Sequence, residues 1–396
     1  MPSFATTMNP FIKKPRTNQK MVVFKIIAIV VLFIAVEIGL QIVRLIINLK
    51  EPTGLDKKLS LSIYKNKEWA EPLLKEHEDT KELDFDQYVG WKRREYHGRF
   101  INIGADGTRK TFNRTHAMNA KRDSIYVFGG STIWGTGVRD EYTVPSCLSK
   151  ILNQHGYHSI VKNYGESGYT FTQGMMRLIL LLKEGHRPQL AIFYDGVNEV
   201  STAYHNGQAG VIGLAAELQS FLEWKRRSYV GQMGSLVKEA AVQHSMIYRS
   251  VDNLIRLFQH NPSTSAARHY EEQKLERLSQ DIITYYITSL NLVEKLSKTY
   301  DFQYICFWQP VIYTKNQLTE EEKTVDDKVQ DEKLRKLYLD TYGAIKKSPL
   351  PHFYDLSEVF NNRNTTLYSD FCHLSEAGNE IVANAIFEKI IKEFPQ

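Results

Sequence analysis

The sequence has few cysteines, and this shortage excludes two kinds of small, cross-linked fold. Only three of its 396 residues are cysteine, and Cys147, Cys306 and Cys372 lie far apart in the chain. A disulfide scaffold or a cysteine-rich zinc site needs several closely spaced cysteines. One bridge among the three remains open, but nothing in their spacing favours it.

A strong charge of one sign is also missing. The chain has 50 basic and 45 acidic residues, for a formal net charge of +5. Nucleic-acid-binding domains carry a clustered basic stripe, so this balance argues against a nucleic-acid partner. Internal repeats and low-complexity tracts are absent, and no cluster of histidine, cysteine and aspartate has metal-ligand spacing. We therefore expect no metal and no other cofactor.

One long hydrophobic run is present, near the N-terminus. Residues 26–43 read IIAIVVLFIAVEIGLQIV, close to the length that a helix needs to cross about 30 Å of hydrocarbon. Basic residues precede the run and acidic ones do not, which predicts a cytoplasmic arm over 1–25 and a single span over 26–48. No small-residue cleavage site follows, which favours a retained anchor over a signal peptide. The alternative is a buried helix of a soluble protein.

The rest of the chain changes character twice. Residues 49–120 read first as a charged juxtamembrane stalk and then, from about 83, as a small β-rich flap with short alternations and a glycine-containing turn. From 121 to 396 short apolar runs alternate with helical patterns, which predicts parallel pairing and right-handed crossovers. We expect a three-layer α/β/α sandwich with about five parallel strands and a helical insertion at about 201–265. The predicted strands lie within 124–129, 158–165, 189–196, 302–310 and 352–360.

The first of these strands ends unusually, in IYVFGGSTIWGTG (125–137). Gly129 and Gly130 could cradle a phosphate, or they could clear space around Ser131. The stretch lacks the spacing of a dinucleotide-binding loop, and no Lys-Ser or Lys-Thr pair follows as in a P-loop. The phosphate interpretation therefore fails.

Polar residues follow the other strands, and ligands of open α/β sheets bind beyond the carboxyl ends of the strands. NYGESG (163–168), DGVNE (195–199) and SDFCHLSEAG (369–378) should therefore meet the serine at one rim. A serine becomes a nucleophile when an imidazole takes its proton and a carboxylate orients that imidazole. Asp370 and His373 are three residues apart, so on a helical turn they would share one face. Glycine turns and an asparagine amide supply donors for an oxyanion.

Four blocks resemble those of the SGNH/GDSL hydrolase family: FGGSTIWG, NYGESGYT, DGVNE and DFCHL. The resemblance implies a flavodoxin-like fold and esterase or acyltransferase chemistry through an acyl-serine. It assigns Ser131 as the nucleophile, Gly168 and Asn198 as oxyanion donors, and Asp370 and His373 as the rest of the triad. Two departures are visible, since the first block reads GGST rather than GDS and Glu199 stands where aspartate is usual. They weaken any inference of substrate from soluble members of the family.

Topology and resemblance together predict an enzyme anchored in the cytoplasmic membrane, with its catalytic domain outside. The expected function is an esterase that removes O-acyl, in particular O-acetyl, groups from cell-surface polysaccharide. An O-acetyltransferase and a non-catalytic polysaccharide-assembly protein remain alternatives, the last with envelope assembly proteins as partners.

Several side chains near the blocks have more than one interpretation. Cys372 could be a thiol nucleophile or a packing residue, and Trp134 could stack on a sugar or cover the core. Tyr194 and Asp195 could line the pocket. The insertion, with Phe221, Trp224, Arg226, Arg227 and Tyr229, could be a cap over the pocket or a surface that packs on a membrane or partner.

Overall fold

The structure, a computed structural model, describes residues 19–50, 53–113, 124–226, 231, 233–234, 245, 265–327 and 331–395. The helices are α1 (Gln19–Lys50), α2 (Gly54–Leu59), α3 (Ala70–Asp79), α4 (Ser131–Trp134), α5 (Val144–Gln154), α6 (Phe171–Lys183), α7 (Val197–Asn206), α8 (Ala215–Arg226), α9 (Ser265–Tyr300), α10 (Glu320–Asp327), α11 (Glu332–Ile345) and α12 (Glu376–Glu393). The strands are β1 (Leu83–Asp86), β2 (Gly90–Arg93), β3 (Tyr96–His97), β4 (Asn102–Ile103), β5 (Ser124–Gly129), β6 (Ile160–Asn163), β7 (Leu190–Asp195), β8 (Gln303–Trp308) and β9 (Phe353–Asp355).

Five of these strands form one parallel sheet in the order β6-β5-β7-β8-β9. The first strand of the sheet in the chain, β5, therefore lies between the second and the third. The chain leaves β5 toward one edge and later returns to its other side, which makes the gap between β5 and β7 a topological switch point. The predicted sandwich of about five parallel strands is confirmed.

Burial on both faces explains why the strands are almost continuously apolar. All six residues of β7 are buried. Because side chains alternate along a strand, Phe128 and Phe193 enter the core on one face, while Val127 and Ile192 enter the core on the other. Helices α6, α7, α9 and α11 pack on the first face, and α5, α10 and α12 pack on the second.

The predicted stalk is corrected by the structure from Thr53 onward. This segment belongs to the same compact unit as the sheet, which comprises Thr53–Lys225 and Pro262–Gln396. Leu73 of α3 packs with Ile103 and with Trp134, the last residue of α4, and the Tyr64 hydroxyl donates to the Gly137 carbonyl at 2.9 Å. Residues 83–103 form two antiparallel strand pairs, β1-β2 and β3-β4. The charged, alternating sequence is typical of a solvated segment, but Leu73, Ile101 and Ile103 are buried together with Trp134 of α4.

The start of the predicted insertion also differs. Helix α7 continues to Asn206 and contributes Val200 and Ala203 to the core, so residues 201–206 belong to the sandwich itself. Helix α8 follows, with Phe221 and Trp224 stacked on each other at 5.9 Å between ring centroids. Most of the remaining insertion, including Arg227 and Tyr229, lies outside the described residues.

Helix α1 carries the hydrophobic run. Val23–Leu45, 23 residues with a mean hydropathy of 2.8, is long and apolar enough to cross a membrane, and none of it is buried. A signal sequence has the same properties. The acid within it is not isolated, because Glu37 accepts hydrogen bonds from Gln41 and from Ser245.

Candidate active site

The nucleophile candidate sits where β5 passes into α4. Gly130 precedes the helix, and Ser131 is its first residue. A Cβ at Gly129 would overlap the Tyr194 carbonyl of β7, and a Cβ at Gly130 would overlap the Asn198 side-chain nitrogen. The two glycines are therefore needed because the neighbouring strand and the Asn198 amide occupy the space that side chains would take.

Ser131, His373 and Asp370 form a hydrogen-bonded chain. The Nε2 of His373 lies 2.7 Å from Ser131 Oγ, across 242 residues of sequence. The Nδ1 of the same ring lies 2.6 Å from Asp370 Oδ2. One nitrogen is thus poised to receive the serine proton while the other donates to the carboxylate, which fixes the tautomer. All three side chains are half-buried.

Asp370 is held by the loop that carries it. Its Oδ1 accepts from the backbone N–H groups of Cys372 at 3.0 Å and His373 at 2.8 Å. Partial burial opposes ionisation, but the charge of His373 and these hydrogen bonds lower the pKa of Asp370 well below its usual range. The carboxylate therefore stays ionised at neutral pH and can stabilise an imidazolium.

The spacing of Asp370 and His373 is that of a helical turn, but the two residues lie in a loop. Residues 369–373 form a loop closed by the Tyr368–Leu374 bridge and by the Ser369 N–H donating to the His373 carbonyl at 2.9 Å. Helix α12 begins later, with Ser375 as its N-cap. The loop brings the two side chains together by an Asp-centred turn.

The two oxyanion candidates lie on α7 and on the loop before α6, and the Asn198 amide joins these two segments. Asn198, in the first turn of α7, donates from Nδ2 to the Tyr169 carbonyl at 2.7 Å, which orients its amide and leaves the second N–H available. Gly168 lies one residue before Tyr169, in a turn with φ of +79° that favours glycine. As the first residue of α4, Ser131 has no acceptor for its N–H within the helix.

Glu199, noted in the sequence only as a departure from the family pattern, has a structural task. Its carboxylate accepts from the Phe171 N–H at 2.6 Å and from the Gly196 N–H at 2.7 Å. It thus caps both α6, which follows the Gly168 loop, and α7, which carries Asn198. Burial raises the pKa of Glu199, against these hydrogen bonds.

Tyr194 and Asp195 do not line an open pocket. Tyr194 is fully buried, and Asp195 is 3% exposed with one carboxylate oxygen unpaired among the described residues. Burial, and then the nearby Glu199, raise the pKa of Asp195 well above its usual value. A neutral acid is therefore the stable form of Asp195 at this site.

Trp134 belongs to the core rather than to a sugar platform. It is fully buried, and the guanidinium carbons of Arg93 and Arg109 lie 3.9 and 4.4 Å from its ring centroid. Neither arginine belongs to one of the four sequence blocks. Both lie in residues 53–113, which we call the N-terminal segment. No local pattern in the sequence indicates that this segment contacts the sandwich.

The cysteines are all buried and free. Burial, with a further contribution from Asp370, raises the pKa of Cys372 well above its usual value, so its thiol is not a nucleophile at neutral pH. Asp370, Cys372 and His373 do bring three potential metal-ligand atoms within 4.8 Å, which the spacing analysis missed. The imidazole and carboxylate of this group are already bonded directly to each other.

Comparison with known proteins gives structural neighbours only. No family model matches the chain, and no curated protein matches it significantly. Similar solved structures include the acetyl xylan esterase AlAXEase (15% identity, 68% of this chain and 100% of that one, TM-score 0.36). Another is a lipase/acylhydrolase from Enterococcus faecalis (14%, 68% and 96%, TM-score 0.32). A third is AlinE4, an SGNH-hydrolase family esterase (27%, 26% and 55%, TM-score 0.20).

Similarities of this size carry no argument about activity, which rests on the geometry of the site. The chain has a five-stranded parallel α/β sandwich, as the sequence predicts. At one rim of the sheet, Ser131, His373 and Asp370 are joined by hydrogen bonds, with Asn198 close to the serine.

Proposed function

We propose that this chain is a membrane-anchored serine esterase that removes O-acyl groups, in particular O-acetyl groups, from cell-surface polysaccharide. One observation carries the esterase chemistry: the 2.7 Å contact between Ser131 Oγ and His373 Nε2, with Asp370 behind the ring. Serine, imidazole and carboxylate in this order are the parts that acyl transfer through a covalent intermediate requires.

In the first half-reaction His373 Nε2 takes the Ser131 proton as the oxygen attacks the ester carbonyl. The carbonyl π electrons move to its oxygen and form a tetrahedral oxyanion. When the intermediate collapses, the C–O bond to the leaving alcohol breaks and His373 returns the proton to that alcohol. In the second half, water attacks the acyl-serine with His373 again as the base, which releases the acid and the free serine.

Asp370 acts through the ring throughout. It stays ionised, accepts from Nδ1 and stabilises the imidazolium that forms in each half-reaction. The donors proposed for the oxyanion are the N–H groups of Ser131 and Gly168 and the side-chain amide of Asn198. In related chemistry, loss of one such donor costs roughly 10²–10³ in kcat.

The proposed location and substrate rest on the first 45 residues of the chain. The apolar helix Val23–Leu45 and the basic arm before it support a single span with the catalytic unit outside the cytoplasm. An esterase held there meets the polysaccharides of the cell surface. An acetyl group fits a first test because small esters need no specialised acyl pocket.

A serine-reactive fluorophosphonate tests the catalytic claim. Wild-type protein should label and Ser131→Ala should not; equal labelling of both, or of neither, would contradict the assignment. Incubation with acetylated and bare oligosaccharides, followed by mass spectrometry, tests the substrate. Acetate release identifies the esterase, and transfer to the bare sugar identifies an acetyltransferase. Labelling without either product would reject polysaccharide as the substrate.

A further inference from the structure

The loop that carries Gly168 is fixed from outside the sandwich. Within the sandwich, its backbone is tied to β5 by the Glu166 N–H donating to the Gly129 carbonyl at 3.1 Å. It is also bonded to α7 by the Asn198 amide, and a further set of bonds runs to β2. The Trp91 indole N–H donates to the Ser167 carbonyl at 2.9 Å, and the Trp91 ring lies against Gly168.

Arg93 supplies most of the bonds from β2. Its Nε and its backbone N–H donate to the two carboxylate oxygens of Glu166, each at 3.0 Å. Its Nη2 donates to Ser167 Oγ at 2.6 Å, and its Nη1 donates to the Thr80 carbonyl. The guanidinium thus donates hydrogen bonds to Glu166 and Ser167, the two residues that immediately precede Gly168.

The same guanidinium also contacts the nucleophile helix. It lies 3.9 Å from the ring centroid of Trp134, at the end of the four-residue helix that begins with Ser131. One side chain therefore touches both the oxyanion loop and the short helix that presents the serine. A shift of either element relative to the other would have to move Arg93.

The ion pair is costly to break. The side chains of Arg93 and Glu166 are 4% and 5% exposed. Burial raises the pKa of Glu166, and the positive charge of Arg93 opposes that rise. Removing one partner from such a pair leaves an uncompensated buried charge, which is strongly destabilising. The ion pair lies beside Gly168, the proposed oxyanion donor, and a displacement of about 0.5 Å is enough to impair a catalytic group.

We propose that Arg93 is a positioning residue that sets the place of the Gly168 N–H in the oxyanion hole, so that the N-terminal segment completes the active site. This inference rests on the proposed esterase function. It makes β2 part of the catalytic machinery, although β2 contributes no group to the triad.

The test compares Arg93→Met with Arg94→Met in the full-length protein. Arg94 is the matched control, because its side chain is 58% exposed and pairs with Glu82 and Asp84 at the surface. For hydrolysis of p-nitrophenyl acetate, Arg93→Met should lower kcat by roughly 10²–10³, as for loss of an oxyanion donor. KM should stay within about threefold, since the donor acts mainly in the transition state. Arg94→Met should match the wild type.

Two measurements separate positioning from general damage. Affinity for a trifluoromethyl ketone, whose serine adduct carries an oxyanion, should fall in parallel with kcat/KM. The midpoint of the pH–rate profile should not move, because the His373–Asp370 pair is left intact. An altered midpoint with unchanged inhibitor affinity would overturn the inference.

Further variants keep the test decisive if Arg93→Met unfolds. Arg93→Met combined with Glu166→Leu removes both charges and should recover thermal stability, since an apolar pair can replace a buried ion pair. It should not recover kcat. Trp91→Phe deletes the N–H bond to Ser167 together with part of the ring that lies against Gly168, and should lower kcat by at least about fivefold, the change that corresponds to roughly 1 kcal/mol for one hydrogen bond.

Wild-type kcat in the double variant, or in both Trp91→Phe and a folded Arg93→Met, would refute the positioning role. The proposed function is judged separately, by turnover in the wild type and its loss in Ser131→Ala. Turnover that survives every change in β2 would leave the esterase standing and remove this inference.

Discussion

Gly130→Ala is the sharpest test of the site geometry, because it adds one methyl group beside the oxyanion hole. The backbone at Gly130 has φ of −83°, which alanine also adopts, so the change causes no backbone strain. The new Cβ would overlap Asn198 Nδ2 and lie 3.4 Å from Asn198 Cγ and from the Tyr169 carbonyl. The amide must swing away and lose its 2.7 Å bond to Tyr169.

The structure predicts a large catalytic effect with a small effect on stability. Losing the Asn198 donor should cost roughly 10²–10³ in kcat, or about 2.7–4 kcal/mol of transition-state stabilisation. The lost hydrogen bond costs about 1 kcal/mol of folding free energy. The reduced entropy of the unfolded chain returns about 0.4–1 kcal/mol. We therefore expect the melting temperature to change by only a few degrees.

A double-mutant cycle on p-nitrophenyl acetate hydrolysis checks the mechanism. Asn198→Ala alone should cost about as much as Gly130→Ala, and the two together should cost no more than either, because both remove the same donor. Gly343→Ala is the control, since Gly343 lies in the last turn of α11 and a Cβ there meets nothing within 4 Å. It should leave kcat unchanged.

Two results would refute the reasoning. The first is full activity of Gly130→Ala, which would mean that the amide is not a catalytic donor or that it moves without loss. The second is additive losses in the double variant, which would mean that the methyl group acts on something other than Asn198.

The remaining predictions concern three other side chains. Asp370→Asn should keep the fold and lower kcat by about 10⁴, as expected when a triad carboxylate no longer fixes the tautomer; near-normal turnover would show that His373 is braced elsewhere. Asp195→Asn should melt at a higher temperature than wild type at pH 8, and by a smaller margin at pH 5. A raised folded-state pKa gives stability that is present at low pH and lost as pH rises toward that pKa. The exposed control Asp301→Asn should show no such divergence from wild type. Parallel dependence of melting temperature on pH for Asp195→Asn and wild type would contradict the buried neutral acid. Cys372→Ser should retain turnover within about threefold, because the raised thiol pKa excludes a thiolate nucleophile; loss of labelling by the fluorophosphonate would contradict this.

The strands of the sheet were predictable because their signal is local. A strand buried on both faces must be apolar throughout, so SIYVFG and QLAIFYDG were recognisable one segment at a time. Their alternation with helices then fixed parallel pairing and the rim at which the strands end. The four blocks could be placed at that rim without knowing any distance.

The packing of the N-terminal segment could not be predicted from local sequence patterns. Residues 54–79 are charged and amphipathic, and a solvated helix with the same composition would read identically. Their packing depends on Leu73 and Tyr64 meeting residues that follow Ser131, and no periodicity encodes that contact. Arg93 was overlooked for the same reason, since its partner Glu166 lies 73 residues away in the sequence.

By itself the sequence determined the residue types of the chemistry, the order of the strands along the chain and the hydrophobic run at the N-terminus. Each of these depends on neighbours in the chain or on a short repeating pattern. Only the tertiary structure decided the order of strands within the sheet. It also decided that a loop and not a helix joins Asp370 to His373, and that β2 is hydrogen-bonded to the loop that carries Gly168. Those features arise from contacts between distant segments, whose free energy depends on shape and burial and leaves no periodic trace in the sequence.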